Sequence, residues 1–202
     1  MRQQVEETDT VQVGKKILQG KQTQKVLAFY KPVGVTCTER DPHAEKKIMD
    51  MIRYPERLTY AGRLDKDSEG LILLTNDGDL INAMMRGANR HEKEYIVKTD
   101  REITPDFLEK MAKGIYLKDL DITTRECEIE QIGKFTFRIV LTQGVNRQIR
   151  RMCEACGYRV KALKRIRIMN VLLGDLKPGK WREVTGEELE QLQRDTGMLN
   201  RN

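Results

Sequence analysis

Short apolar runs separated by turn residues dominate the chain and predict a protein rich in β-strands. Residues 26–30 (VLAFY) form one such run, which ends at Pro32 and Gly34 because proline cannot continue a strand ladder and glycine permits a turn. Residues 71–75 (LILLT) form a continuous apolar run closed by Asn-Asp-Gly, typical of a short buried strand. Residues 93–99 (KEYIVKT) alternate between polar and apolar positions, which also favours a strand.

Helices are predicted between these strands from their capping residues and periodicity. Asp77 is placed to cap a helix that runs to about Met85. Thr104, followed by a proline, predicts a second helix that ends at Gly114. Apolar residues at helical spacing predict a further helix within residues 43–52.

The second half of the chain repeats this mixture. Asn146 is predicted to cap the helix RQIRRMCEAC, which Gly157 ends, and Thr185 with Glu188 is predicted to form a capping box for the final helix. Further strands are predicted at residues 122–129, 135–141, 158–163, 166–172 and 181–184. Because strands follow strands and helices are inserted irregularly, we expect an α+β fold with a mixed, mostly antiparallel sheet and flanking helices.

Length and composition indicate a soluble globular protein. The chain has 202 residues, of which 39% are apolar, and none of its apolar runs is long enough to cross a bilayer. We expect no membrane association, a cytoplasmic location with reduced cysteines, and a monomer, since no coiled-coil pattern is evident. Residues 1–24 are polar and predict a tail or the remnant of a preceding domain, with residues 25–202 as one catalytic domain. Cys153 and Cys156 are expected to be packing residues.

The positive charge of the chain is concentrated in one segment. The formal net charge is +6, and residues 147–167 contain eight arginines and lysines but a single acid, Glu154. A solvated helix face usually interleaves acids with bases, whereas clustered arginines suit a phosphate backbone. We therefore expect a nucleic-acid partner.

Few kinds of catalytic chemistry fit the remaining residues. The D-x-D-x-x-G sequence that begins at Asp65 resembles a calcium loop, but Glu69 and Asn76 occupy its fifth and twelfth positions, where the coordination fails. The chain has one serine, two histidines, no zinc-ligand motif and no phosphate-binding loop. Carboxylates and arginines remain, and we expect no cofactor and no metal.

Asp65 lies beside a tight turn, where a carboxylate serves either covalent catalysis or local structure. Arg147 and Arg150 are three residues apart on a predicted helix, so one of them can pair with Asp65 and keep it ionised. A glycosidase would need a second carboxylate on the opposite side of the sugar. The nearest, Asp67, is predicted to share one face with Asp65, which argues against that reaction.

The sequences GRLDKDSEGLILLTNDGDL, KEYIV and QGVNRQIRRM closely resemble those of ribosomal-RNA pseudouridine synthases of the RsuA/RluB/RluE/RluF group, with the RluF branch nearest. The resemblance implies the pseudouridine synthase fold with a central RNA-binding cleft, Asp65 as catalytic aspartate, Tyr95 against the target base and Arg150 paired with Asp65. Without it, a tyrosine alternating along a strand would be a core residue by default. The residues implied to contact the RNA are Arg63, Leu64, Lys66, Arg147, Gln148 and Ile149.

The resemblance also implies a reaction: isomerisation of a specific uridine of 23S ribosomal RNA after the nucleotide is flipped into a pocket. A compact RNA-binding domain commonly precedes the catalytic part in this group, and residues 10–22 (TVQVGKKILQGKQ) resemble its last strand. Two alternatives remain open. One is a ribosome-associated protein that binds RNA without modifying it, and the other is a synthase of this family acting on 16S ribosomal RNA or transfer RNA.

Overall fold

The computed structural model describes residues 11–13, 16–18, 23–38, 46–86 and 90–199. The helices are a 3-10 helix (Ile48–Met51), α1 (Gly78–Met85), α2 (Pro105–Lys113), α3 (Gln148–Ala155) and α4 (Gly186–Asp195). The strands are β1 (Val11–Val13), β2 (Lys16–Leu18), β3 (Val26–Lys31), β4 (Thr59–Ala61), β5 (Glu69–Thr75), β6 (Lys93–Thr99), β7 (Tyr116–Leu117), β8 (Ile122–Thr123), β9 (Glu128–Gly133), β10 (Thr136–Leu141), β11 (Val160–Ile168), β12 (Val171–Leu172) and β13 (Trp181–Glu183).

One large mixed sheet organises the described chain. Its strand order is β13-β3-β5-β11-β6-β10-β9, with β4 paired to β5 and β12 paired to β11. The pairing of β11 with β5 is parallel, and the other pairs within this sheet are antiparallel. The predicted α+β class with a mostly antiparallel sheet is therefore confirmed.

Several local predictions are confirmed in atomic detail. The Asp77 side chain accepts hydrogen bonds from the backbone amides of Asp79 and Leu80 and so caps α1. The Thr104 side chain accepts a hydrogen bond from the amide of Phe107, a proline occupies the first position of α2, and Gly114 follows its last turn. Asp77 and Thr104 satisfy backbone donors that a helix start would otherwise leave unpaired, and the proline removes one. At the other end of α2 the Gly114 amide donates to the Met111 carbonyl at 3.3 Å.

Asn146 is wrong as the cap of α3, and at α4 Thr185 occupies the predicted N-cap position but the predicted capping box with Glu188 is not formed. Asn146 does not cap α3: Arg147 precedes the helix in the left-handed conformation, and the Asn146 carbonyl accepts from Arg151 at 2.9 Å. Glu188 does not reach back to Thr185, because its carboxylate binds Arg182 at 2.6 and 2.8 Å. The Asn146 side-chain oxygen accepts from Arg151 Nη2 at 3.3 Å, and the Glu188 carboxylate forms charge-assisted bonds with Arg182 of β13, so both side chains are engaged elsewhere.

Some predicted element boundaries also differ. Within residues 43–52 only Ile48–Met51 forms a helix, of the 3-10 type, and residues 43–45 lie outside the described part of the chain. The strands predicted at 158–163 and 166–172 are mostly one strand, β11, which carries register shifts where it pairs with β6. The strand predicted at 122–129 is divided between β8 and β9.

The core explains why residues 71–75 are apolar throughout. Leu71 and Leu73 pack into one buried cluster, and Ile72 and Leu74 pack into another on the opposite face of the sheet. A strand buried on both faces has no polar alternation. A third cluster joins α2 and α3 to β6 and β10 and includes Cys153, with Cys156 packed against it, so the packing role of these cysteines is confirmed.

Among the described residues, no helix is both long and apolar enough to span a membrane.

Candidate active site

A cleft of about 580 Å³ opens between the turn after β4, the ends of β6 and β11, and the start of α3. Asp65, Tyr95 and Arg150 line this cleft, as do Arg63, Leu64, Lys66, Arg147, Gln148 and Ile149. The structure therefore brings together every site residue predicted from the sequence, although these residues come from three separate segments of the chain.

The turn that carries Asp65 is fixed from both ends. The Asp65 carbonyl accepts from the amide of Ser68 at 3.1 Å, and the Lys66 carbonyl accepts from the amide of Gly34 at 2.7 Å. Leu64 is buried in the core, which anchors the turn. The side chain of Asp65 keeps 33% of its surface exposed, so its carboxylate remains accessible from the cleft.

Gly70 permits the close strand pairing that sets the floor of the cleft. It adopts φ +112, and a Cβ atom at this position would lie 2.2 Å from the Arg165 carbonyl oxygen. No side chain fits there, so β11 can pair with β5 at this register only because residue 70 is glycine. The glycine of the D-x-D-x-x-G sequence thus serves strand packing next to the turn that carries Asp65.

The arginine that meets Asp65 is Arg147 rather than Arg150. Arg147 Nη1 lies 3.6 Å from Asp65 Oδ2. Arg150 instead donates from Nη2 to the Asp67 carbonyl at 2.9 Å and to Ser68 Oγ at 3.2 Å. The expected pairing of Arg150 with Asp65 is therefore not formed, because Arg150 is buried beneath the turn and reaches its backbone.

The Asp67 carboxylate contacts both Arg147 and Arg150. Its two carboxylate oxygens accept from Arg147 at 3.1 and 3.0 Å, and Arg150 Nη2 lies 3.3 Å from Oδ2. Partial burial alone would raise the pKa of Asp67, but the hydrogen bond from Arg147 and the charges of both arginines lower it. Arg147 therefore contacts both Asp65 and Asp67, but of these two carboxylates only Asp65 lines the cleft.

Tyr95 lies at the junction of two parts of the core. It is half-buried on β6, opposite Ile139 of β10 and Arg165 of β11, and it packs against the clusters on both sides. This position presents an aromatic surface to the cleft from a rigid strand. A platform of this kind is suited to stacking against a base.

Sequence reasoning missed polar residues that are buried around this cleft. Lys31 is fully buried and donates from its ammonium to the carbonyls of Ser68 at 2.7 Å and Pro32 at 2.9 Å. Ser68, Lys93 and Arg165 also line the cleft. The available signal was a charged residue inside a buried strand, such as Arg165 between Leu163 and Ile168.

The basic segment does not form one solvated face. Arg150 and Arg165 are buried, and Arg167 pairs with Glu92 and Glu94. Arg151 pairs with Asp119. Acids distant in sequence pair with Arg151 and Arg167, and Arg150 and Arg165 are buried, so the exposed positive surface is smaller than the charge count of the segment suggests. Arg147 is exposed beside the cleft.

Within the described ranges, no group of three or more histidine, cysteine, aspartate or glutamate side chains is arranged to hold a metal ion.

Comparison with known proteins places the chain in a family. Residues 25–155 match the RNA pseudouridylate synthase family. The chain is 44% identical over 191 residues to the dual-specificity RNA pseudouridine synthase RluF of Escherichia coli (strain K12), an alignment that covers 94% of this chain and 65% of that protein. It is 33% identical to the ribosomal large subunit pseudouridine synthase B of Vibrio cholerae, covering 83% of this chain and 54% of that one.

A solved structure agrees with this assignment. The crystal structure of a pseudouridylate synthase superposes with a TM-score of 0.80 at 28% identity and covers 94% of this chain and 82% of the other. The chain belongs to the RNA pseudouridylate synthase family, and the resemblance to the RsuA and RluF group is confirmed. It spans 65% of the length of the Escherichia coli relative.

Proposed function

We propose that this chain is an RNA pseudouridine synthase that isomerises a specific uridine of 23S ribosomal RNA. The observation that carries the proposal is the meeting of Asp65 with Arg147 at 3.6 Å inside a cleft that Tyr95 also lines. A protein that only bound RNA would need the arginines but not an accessible carboxylate facing them. Membership of the pseudouridylate synthase family supports the same reaction.

The proposed chemistry uses only groups that the chain provides. The bond between uracil N1 and the sugar C1′ breaks, the base turns, and uracil C5 bonds to C1′. Asp65 either captures C1′ covalently or assists formation of a glycal, and both routes leave the atoms of the nucleotide unchanged. The guanidinium of Arg147 lies 3.6 Å from the Asp65 carboxylate, so its positive charge holds that carboxylate in position beside the cleft.

The target nucleotide must leave its helix to reach Asp65. Enzymes that act on a base extrude it into a pocket, and the cleft of about 580 Å³ is open to such a nucleotide. Tyr95 then stacks against the base, Arg150 holds the turn that carries Asp65, and Arg63 fills the space left in the RNA. Lys66 and the start of α3, Arg147 to Ile149, contact the neighbouring nucleotides.

The choice of 23S ribosomal RNA rests on the relatives. The Vibrio cholerae protein is named for the large ribosomal subunit, which supports a target there. The Escherichia coli relative is named as dual-specificity, which supports a second substrate, such as 16S ribosomal RNA or transfer RNA.

Mapping pseudouridine in ribosomal RNA from cells that lack the protein tests this proposal. Complementation with the wild type should restore one site, and Asp65→Ala should restore none. The purified Asp65→Asn variant should bind target RNA as tightly as the wild type, which separates loss of chemistry from loss of binding. Restoration of the same site by Asp65→Ala would show that the catalytic assignment is wrong.

A further inference from the structure

The guanidinium of Arg165 lies at the floor of the cleft and is incompletely bonded. Its Nε donates to the Leu71 carbonyl at 2.7 Å, and its Nη1 donates to the Arg63 carbonyl at 3.4 Å. Nη2 is buried and has no hydrogen-bond partner among the residues that the structure describes. Buried donors are nearly always paired, so this unpaired guanidinium nitrogen leaves a positive group with unsatisfied bonding capacity beside the cleft.

A second cation lies beside Arg165. Lys93 lines the same cleft, and its ammonium donates to the His91 carbonyl at 3.3 Å. Burial, assisted by the positive charge of Arg165, lowers the pKa of Lys93 to about 8. Two cations that repel each other in a partly buried place would both be stabilised by a negative charge bound between them.

We propose that Arg165 and Lys93 stabilise the negative charge that uracil carries after its bond to the sugar has broken, an inference that rests on the proposed function. When the C1′–N1 bond breaks, its electron pair stays on uracil. The base is then an anion whose charge is shared by N1, C5 and the two carbonyl oxygens. C5 next bonds to C1′, the proton on C5 leaves, and N1 gains a proton.

The geometry suits a preorganised electrostatic role. Arg165 is only 2% exposed and is held by two backbone carbonyls, so its guanidinium cannot turn away when charge develops. Lys93 and Tyr95 are two residues apart on β6, so both side chains lie on one face of the strand. The proposed stacking surface and the cation therefore approach the same base. Fixed donors of this kind act most strongly where water is excluded.

Lys93→Met tests the proposal, because methionine preserves the approximate size of the side chain and removes its charge. We expect single-turnover conversion of the target RNA to slow about 100-fold, the typical effect of removing one such donor. Lys93→Arg should retain most of the rate. Lys98→Met removes the same charge from an exposed position of β6 and serves as the matched control. Arg165→Lys is a second, independent variant that keeps the positive charge but removes the Nη2 donor. It should also slow conversion of the target RNA.

Replacing the target uridine by 5-fluorouridine separates charge stabilisation from structural support. Fluorine makes the uracil anion more stable by itself, so Lys93→Met should slow consumption of 5-fluorouridine much less than consumption of uridine. Equal slowing on both RNAs would overturn the proposal. The proposal would also be overturned if Lys93→Met bound RNA more weakly but converted it at an unchanged rate. In that case the two cations would bind an RNA phosphate rather than the base.

The proposed function fails in a different way. A wild-type protein that converts neither RNA would overturn that function and this inference with it. If the wild type is active and Lys93→Met converts the target RNA at the same rate, only the inference about Arg165 and Lys93 is overturned.

Discussion

Arg147 binds both carboxylate oxygens of Asp67, at 3.1 and 3.0 Å, from a residue whose backbone is left-handed, with φ 49. A non-glycine residue in this conformation costs on the order of 1 kcal/mol, and the bidentate ion pair offsets this cost. The same guanidinium lies 3.6 Å from Asp65. Asp67 is therefore a positioning residue that holds Arg147 beside the proposed catalytic carboxylate.

Asp67→Asn should reduce activity without abolishing it. The variant loses the negative charge that binds Arg147 and lies close to Arg150. The Asp67 backbone carbonyl and Ser68 Oγ still accept hydrogen bonds from Arg150. We expect a fall of about tenfold in the single-turnover rate, which corresponds to roughly 1.4 kcal/mol of transition-state stabilisation. Because the pair is half-exposed, the free energy of unfolding should change by less than about 1 kcal/mol.

The comparison with Asp65→Asn makes this prediction specific. That variant should have no measurable activity, since the proposed reaction depends on the carboxylate itself. If Asp67→Asn were equally inactive while remaining folded and able to bind RNA, the two carboxylates would share the catalytic role assigned to Asp65.

Arg147→Ala should weaken RNA binding and reduce its dependence on salt. Arg147 is exposed at the mouth of the cleft, and loss of one phosphate contact should lower the slope of log K against log salt by about 1. Arg182→Ala provides the control. It removes the same charge from an arginine that does not line the cleft and is paired with Glu188, so the slope should not change. Equal slopes for Arg147→Ala and the wild type would contradict the assigned contact.

Much of the site could be predicted because its residues occur in contiguous motifs. Asp65 and its neighbours, Tyr95, and the segment from Arg147 to Arg150 all line one cleft. The sequence also identified the helix caps Asp77 and Thr104, where the capping bond is to amides of the helix's own first turn. Local chemistry determines both kinds of feature, so a local pattern is enough to reveal them.

The missed features depend on partners that are distant in sequence. Helical spacing suggested that either Arg147 or Arg150 could reach Asp65, but it could not show that Arg150 would be buried under the turn. Glu188 was predicted to form a cap from its position in α4. Its actual partner, Arg182, lies on a separate strand, and the local pattern could not reveal that. The Nη2 atom of Arg165, which has no partner among the described residues, is recognised only once β11 lies beside β5.

Gly70→Ala should be strongly destabilising. An added Cβ would lie 2.2 Å from the Arg165 carbonyl oxygen, and the φ of +112 is unfavourable for alanine, so β5 and β11 would have to separate. We expect a loss of more than about 3 kcal/mol in the free energy of unfolding, measured by chemical denaturation. Gly78→Ala is the control: a Cβ there meets nothing within 4 Å, and alanine favours the start of α1. A normal stability of Gly70→Ala would mean that the strands are not paired this closely.

Glu94→Gln should destabilise the protein in a pH-dependent manner. Burial alone would raise the pKa of Glu94, but hydrogen bonds from Arg167 and Arg138 lower it, so the carboxylate is more acidic in the folded than in the unfolded state. Its contribution, about 2 kcal/mol for charged hydrogen bonds, is fully present above the unfolded pKa of about 4.3. It is lost as the pH falls through the lower folded pKa. Denaturation of both proteins across acidic pH should show their stabilities converge.

Glu130→Gln isolates the effect of burial on that ion pair. Glu130 binds the same Arg138 at 3.2 Å, but 61% of its side chain is exposed, compared with 13% for Glu94. Its loss should therefore change the free energy of unfolding by less than about 1 kcal/mol at neutral pH. A stability difference between the wild type and Glu94→Gln that stayed constant into strong acid would contradict the lowered pKa, because protonation of Glu94 would then have no effect on folding.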